Sequence, residues 1–279
     1  MDVVTTSTDL KALVEAVGRD AVRVTSLAPA VHDPHVVDLK PGQLLTLQSA
    51  ALLVRVGLDH EPWLSPVLES SDGKRFRPGS PAVLDCSKGI ALLPAETGRA
   101  RDERARHLEG NPHYWLDPDN ARPITAGIRD ALARIAPSSR DSFERNRAGF
   151  LALLDERLER WTRAMAPYRG TRIAVAHDTW SYFAKRFGLV VAGTVEPWPG
   201  VPPTPAHLAE LVRKMRESNV RLLISGPEAN TAMIGLVAAQ SGARPLTLLS
   251  SVGGDAAARS YVGLFDVNIK RVTDALGKR

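Results

Sequence analysis

Three histidines stand in three separate segments: His35 in Asp33-Pro34-His35, His113 in Gly110-Asn111-Pro112-His113-Tyr114-Trp115-Leu116-Asp117-Pro118, and His177 in Ala174-Val175-Ala176-His177-Asp178-Thr179. Neutral imidazole is the commonest protein ligand for zinc-like cations, so the chemistry these residues suggest is metal coordination. A lone histidine near a strand end is more often a hydrogen-bonded structural residue than a ligand. Local chemistry shifts that balance here. Pro34 and Pro112 fix the backbone, and Asp33, Asp117 and Asp178 are carboxylates that could orient the rings. Cys86 is the only cysteine, which excludes an intramolecular disulfide and any cysteine-based zinc cluster. A bound metal must be held by nitrogen and oxygen.

Apolar strand-like runs alternate with helical patterns along the chain, as a doubly wound α/β protein requires. Residues 22–27 read as a strand, 44–51 as a helix, and 52–56 and 82–85 as strands, making one βα lobe. The alternation resumes with strands at 172–176, 189–195, 221–225 and 245–249, and helices at 180–187, 205–218 and 230–240. Between the two runs, Phe143, Phe150, Leu154, Leu158, Trp161 and Met165 repeat at helical spacing from about Ser139 to a stop at Pro167. A helix of that length would run roughly 40 Å. It is long enough to span two lobes and stiff enough to limit their hinging. The expected fold is therefore α/β: two βα lobes with parallel-type sheets, residues 1–138 and 168–279, joined by one long backbone helix over 139–167.

This architecture says where the histidines go. Ligands in open α/β sheets bind beyond the carboxyl ends of the strands, where loops and helix N-termini converge. His35 follows the 22–27 strand after a short loop, His177 directly follows the 172–176 strand, and His113 lies in a turn before a helix starting near Pro118 or Asp119. Two rings come from the first lobe and one from the second. A shared ion would then sit in the cleft between lobes.

The chain has 279 residues and is 44% hydrophobic, enough for sizeable cores. Its formal charge of +5 is the difference between 36 basic and 31 acidic residues, with aromatics at 5%, which argues against a nucleic-acid-binding surface. No run of eighteen apolar residues exists, and Met1-Asp2-Val3-Val4-Thr5 carries no basic-then-apolar signal region. The protein is expected to be either cytosolic or a mature form cut from its export signal.

At these histidines the chain resembles the metal-binding subunits of zinc and manganese ABC importers, the ZnuA/TroA-like solute-binding proteins of cluster A-I. The Asp33-Pro34-His35 motif, the block around His113 and the stretch from His177 to Leu189 carry the likeness. Support comes from Gly57-Leu58-Asp59-His60-Glu61-Pro62-Trp63-Leu64 and the late 261–268 segment. The resemblance implies a periplasmic or extracellular, membrane-anchored carrier whose export signal is absent from this sequence. It implies a divalent metal in the cleft, delivery to an ABC permease, and no catalysis. A monomer is expected.

Members of that family commonly supply a carboxylate after the last strand of the second lobe, whereas this chain reads Leu248-Leu249-Ser250-Ser251-Val252-Gly253-Gly254. The fourth ligand must come from elsewhere or be water. Glu196, pinned by Pro197 at the end of the 189–195 strand, is the first candidate; His107, Asp255 and Ser250 are the others. His32, His60 and His207 match no ligand position and are taken as surface or structural. A histidine-rich site favours Zn2+ over Mn2+, because manganese prefers oxygen donors. Two alternatives stand beside the carrier: a metal-dependent hydrolase with a three-histidine zinc site, and a metal-binding surface adhesin involved in cell adhesion.

Overall fold

A computed structural model describes residues 1–31, 37–69, 75–77, 79–94, 110–197 and 201–277. The chain opens on strand β1 (Asp2–Thr5), where Val3 and Val4 are buried on opposite faces. Helix α1 (Thr8–Gly18) follows, with the Ser7 hydroxyl accepting from the Leu10 amide at 3.2 Å as its N-cap. Leu10, Leu13, Val14 and Val17 fall at helical spacing and are buried. Strands β2 (Arg23–Ser26), β3 (Leu52–Arg55) and β4 (Val83–Asp85) complete a parallel sheet in the order β2-β1-β3-β4. Helices α2 (Pro41–Ser49) and α3 (Ser65–Glu69) lie between them in sequence.

Sequence pattern placed β2, β3 and β4 but passed over β1 and α1, although β1 is the strand that pairs with both β2 and β3. A run of only four residues at a terminus, opening on an aspartate, gives periodicity too little to work with. Helix α2 begins three residues earlier than its apolar pattern suggested. Pro41 occupies its first turn, and the Gln43 side chain accepts from the Lys40 amide at 3.0 Å.

Helix α4 (Ala121–Ile135) leads into α5 (Arg140–Met165), whose 26 residues match the expected long helix. Helix α5 packs against α1 and α4 on one side and α9 (Tyr261–Gly277) on the other. Strands β5 (Arg172–Val175), β6 (Val190–Thr194), β7 (Leu222–Ser225) and β8 (Arg244–Thr247) form a second parallel sheet in the order β6-β5-β7-β8. Helices α6 (Ser181–Phe187), α7 (Pro205–Glu217) and α8 (Thr231–Ser241) connect them. The chain thus forms two parallel-sheet lobes spanned by a long central helix.

One apolar core runs from Val3 and Val54 in the first sheet, through Phe143, Leu154 and Trp161 of α5, to Phe265 of α9 and Ile173 and Ile224 of the second sheet. The outer face of each sheet has its own cluster, Leu27, Leu53 and Phe76 on the first and Val195, Leu211 and Leu223 on the second. Cys86 is buried, as its small apolar side chain suggested. In both sheets the strand that comes first in the chain has a neighbour on each side, reached by connections leaving in opposite directions. Such a reversal opens a crevice at the carboxyl ends of the strands. The crevices lie after β1 and β3 in the first lobe and after β5 and β7 in the second.

Candidate metal centre

The segment carrying His113 is held on all sides by hydrogen bonds. Gly110 adopts φ +146°, and a Cβ there would stand 3.0 Å from the Leu92 Cβ and 3.1 Å from the Leu93 carbonyl, so glycine is required for the chain to pass. Asn111 then donates its amide to the Leu93 carbonyl at 2.8 Å, and its Oδ1 accepts from the His113 amide at 2.9 Å. A single 3-10 turn, Tyr114–Leu116, follows. Tyr114 donates its hydroxyl to the Val56 carbonyl at 2.7 Å, and Trp115 donates Nε1 to the Ser250 carbonyl at 3.0 Å. His113 itself is 3% exposed.

His177 sits two residues past β5, half-buried. The two segments are fastened to each other. Asn111 Nδ2 donates to the Asp178 carbonyl and to its Oδ2, each at 2.8 Å. Tyr182 of α6 donates its hydroxyl to the Asn111 carbonyl and accepts from the Leu93 amide, both at 2.9 Å. Arg186 of α6 forks onto Asp117, with Nε to Oδ1 at 2.5 Å and a second bond of 2.9 Å to Oδ2. Asp117 therefore serves as a clamp between lobes. Asp178 likewise binds Asn111 and the Ser181 hydroxyl.

These clamps bring the rings of His113 and His177 to a centroid separation of 5.5 Å, with planes at 84°. Two imidazoles bound to one tetrahedral zinc, with each nitrogen about 2.1 Å from the ion, have centroids roughly 5.2 Å apart. The pair fits a shared cation to within a few tenths of an ångström. His35, with Asp33 and Pro34, lies outside the described residues, as do His32 and His107. Among the described residues, no set of three or more His, Cys, Asp or Glu side chains is grouped closely enough to hold an ion.

His60, which the sequence reading took as surface or structural, lies beside His113. His60 is 1% exposed, so it is no surface residue. Its ring lies 5.5 Å from that of His113 at 85°, and 5.1 Å from Trp115. It is delivered by a turn directly after β3 in which Gly57, Leu58 and Asp59 all have positive φ, of 84°, 54° and 53°. Glu61 anchors this turn. Its carboxylate accepts from Thr6 Oγ1 and the Val56 amide at 2.6 Å each and from the Gly57 amide at 3.1 Å. Burial pushes the Glu61 pKa up, against the pull of Arg55 and those donors.

Of the fourth-ligand candidates, Glu196 donates its amide to the Ala176 carbonyl at 2.9 Å, which sets it beside His177 at the strand ends. Asp255 is bound to Arg271 at 2.8 Å and accepts from the Ala257 amide at 2.9 Å. Ser250 lies beside Trp115, to which it offers its carbonyl. His207 contacts the Thr194 carbonyl through Nε2 at 3.0 Å, a structural role as expected.

Known proteins resemble this chain in sequence and in fold. A zinc-binding lipoprotein, AdcA of Streptococcus pneumoniae, is 23% identical over 97% of this chain, which spans about half of that relative's length, 54%. A crystal structure of a ZnuA deletion mutant with zinc bound superposes with a TM-score of 0.82 at 26% identity, covering 99% of this chain and 97% of that one. A manganese-bound periplasmic metal-binding protein from Candidatus Liberibacter asiaticus has the same fold, with a TM-score of 0.81 at 19% identity over 99% of both chains. The family model for the periplasmic component A of the zinc-uptake complex matches residues 3–275, from β1 into α9, and this chain belongs to that family.

Proposed function

We propose that this protein binds a divalent transition metal, Zn2+ with Mn2+ as the alternative, in the cleft between a lobe of residues 1–138 and a lobe of residues 168–279 joined by 139–167. It then delivers the ion to an ABC permease for import. His35, His113 and His177 are the proposed ligands, with Glu196, whose amide bonds the Ala176 carbonyl beside His177, as the tentative fourth. The observation that carries the reading is the 5.5 Å separation of the His113 and His177 rings, contributed by different lobes. Imidazole ligation favours zinc, and a solved structure similar to this chain has zinc bound. The protein acts as a monomeric carrier in the periplasm or at the cell surface, and no helix of the described residues is long and apolar enough to cross a membrane. The family match favours this carrier over a hydrolase.

The test is metal stoichiometry and affinity for the wild type and for His35→Ala, His113→Ala and His177→Ala. Each variant should lose affinity by tenfold or more, since each removes a ligand. Undiminished one-to-one binding in all three rejects the site.

A further inference from the structure

We infer that the first lobe carries a ligand site of its own, separate from the proposed metal cleft: a pocket along the open edge of β4 that binds a small oxyanion, a carboxylate or phosphate compound, through Arg55, Lys88 and Arg134. Strand β4 pairs with β3 alone and ends its sheet. Beside it lies a cavity of about 350 Å³, at the small end of the range for small-molecule sites. Phe76, Pro81 and Val83 give it an apolar wall, and Arg55, Asp85, Lys88 and Arg134 supply its charges. Every lining residue belongs to the first lobe, so the inference stands apart from the carrier reading.

Arg55 is the reason to expect a ligand. Its side chain is only 16% exposed, and its Nε is buried with no hydrogen-bond partner among the described residues. Its two ion pairs are long, with Nη2 3.6 Å from Glu61 Oε2 and Nε 4.0 Å from Asp85 Oδ2. A guanidinium carries five donors, and buried donors are paired in folded proteins, so this one is short of acceptors. Its carboxylate partners are spent elsewhere. Glu61 accepts from Thr6 Oγ1 and the Val56 and Gly57 amides, and Asp85 Oδ1 accepts from the Ser87 amide at 3.1 Å and its hydroxyl at 2.6 Å. An oxyanion in the cavity supplies what is missing, since the planar guanidinium fork matches carboxylate and phosphate oxygens.

The surrounding charge agrees. Lys88 and Arg134 are exposed at the rim, and Arg134 is steadied by a bond from Nη2 to the Pro81 carbonyl at 2.7 Å. Arg75 and Arg77 flank Phe76 in the chain, with the Arg75 guanidinium 5.7 Å from the centre of the Phe76 ring. The carboxylates paired with Arg55, those of Glu61 and Asp85, leave a surplus of positive charge. An added peptide strand suits this edge less well, because β4 has three residues and the Val83 amide already donates to the Ser80 carbonyl at 3.0 Å.

The experiment is isothermal titration calorimetry of the metal-free full chain with inorganic phosphate and with citrate, at an ionic strength fixed by chloride. Saturable one-to-one binding of at least one anion is expected, and the tighter of the two tells a phosphate ligand from a carboxylate one. Lys88→Glu and Arg134→Glu alter exposed side chains and should each weaken binding by about tenfold or more. Arg55→Lys keeps the charge beside Glu61, loses the planar fork, and should weaken binding as well. If that variant fails to fold, the two exposed ones decide. Arg163→Glu reverses an exposed charge on α5, outside the pocket, and should leave binding unchanged. Heat that never saturates with either anion, or an equal loss in Arg163→Glu, overturns the site as diffuse surface charge. Undiminished binding in both Lys88→Glu and Arg134→Glu overturns it too. Binding of hexaglutamate with neither small anion overturns it in favour of an acidic chain on the β4 edge.

Discussion

Replacing Asp9 by asparagine should stabilise the metal-free protein, and by more at pH 8 than at pH 5. Asp9 lies in the first turn of α1, fully buried, and its Oδ1 accepts from the Val252 amide at 2.9 Å across the gap between lobes. Burial pushes its pKa from 3.8 up to about 7, although the Val252 amide and the Ser251 hydroxyl pull the other way. The folded chain thus keeps this proton until the pH nears 7, whereas the unfolded chain releases it near 4. Between those values the folded state binds more protons, so each step up in pH lowers its stability. Above pH 7 the full penalty is present. A separation of about three pH units corresponds to about 4 kcal/mol, of which about 3 kcal/mol develops between pH 5 and pH 8. Asparagine keeps the acceptor for Val252 and carries no charge to bury. Urea unfolding of the metal-free wild type and Asp9→Asn across this range should show the gap widening with pH. Parallel profiles would refute the reasoning, because a variant that merely changed packing would shift stability equally at every pH.

Arg186→Ala removes the fork onto Asp117 and should cost about 1–3 kcal/mol, read as a lower urea midpoint, together with weaker zinc binding as the His113 and His177 segments loosen. Unchanged zinc affinity would show that this clamp does not set the ring spacing. Gly57→Ala places a Cβ 2.3 Å from the Asp85 carboxylate at φ +84° and should lower the melting temperature by several degrees while displacing His60. Equal melting curves would contradict the need for glycine there. Zinc loading should change the radius of gyration in small-angle scattering by less than about 1 Å, since no large hinge closure is available to the locked lobes.

Much of the candidate site was proposed from residues with strong local signatures. His177 follows an apolar strand without interruption, and His113 sits among Gly110, Pro112 and Pro118, whose backbone restrictions announce a turn. The long helix α5 was legible for the same reason, since its apolar stripe persists over seven turns. What escaped notice depended on partners distant in the chain. Strand β1 is recognisable only from its pairing with β2 and β3, and α9 only from Tyr261, Phe265 and Ile269 packing on α5 and the second sheet. The clamp roles of Asp117 and Asp178 needed Arg186 and Asn111 to be in view, residues 69 and 67 positions away. The burial of His60 was hidden as well: its neighbours read as a connecting turn, and only the fold sets its ring against those of His113 and Trp115.

The connections between lobes bear on how an ion would enter and leave. Helix α5 holds the first lobe through the Asn146 side chain on the Val17 carbonyl at 2.9 Å. It holds the second through Trp161 Nε1 and Arg157 on Asp266, at 2.9 and 2.8 Å, with Trp161 packed on Phe265. Around the site itself, Asp117 with Arg186, Asn111 with Asp178, Trp115 with Ser250, and Asp9 with Val252 add further crossings. A rigid opening of the cleft would break these together, at about 1 kcal/mol for each neutral bond and about 1.5–3 kcal/mol for each charged one, and would expose the shared core. Rotation of single imidazoles, or movement of one strand-end loop, breaks few of them. For the proposed cleft site the cheaper route for metal exchange is therefore local, and it would place the control of affinity in the strand-end turns and not in a hinge between the lobes.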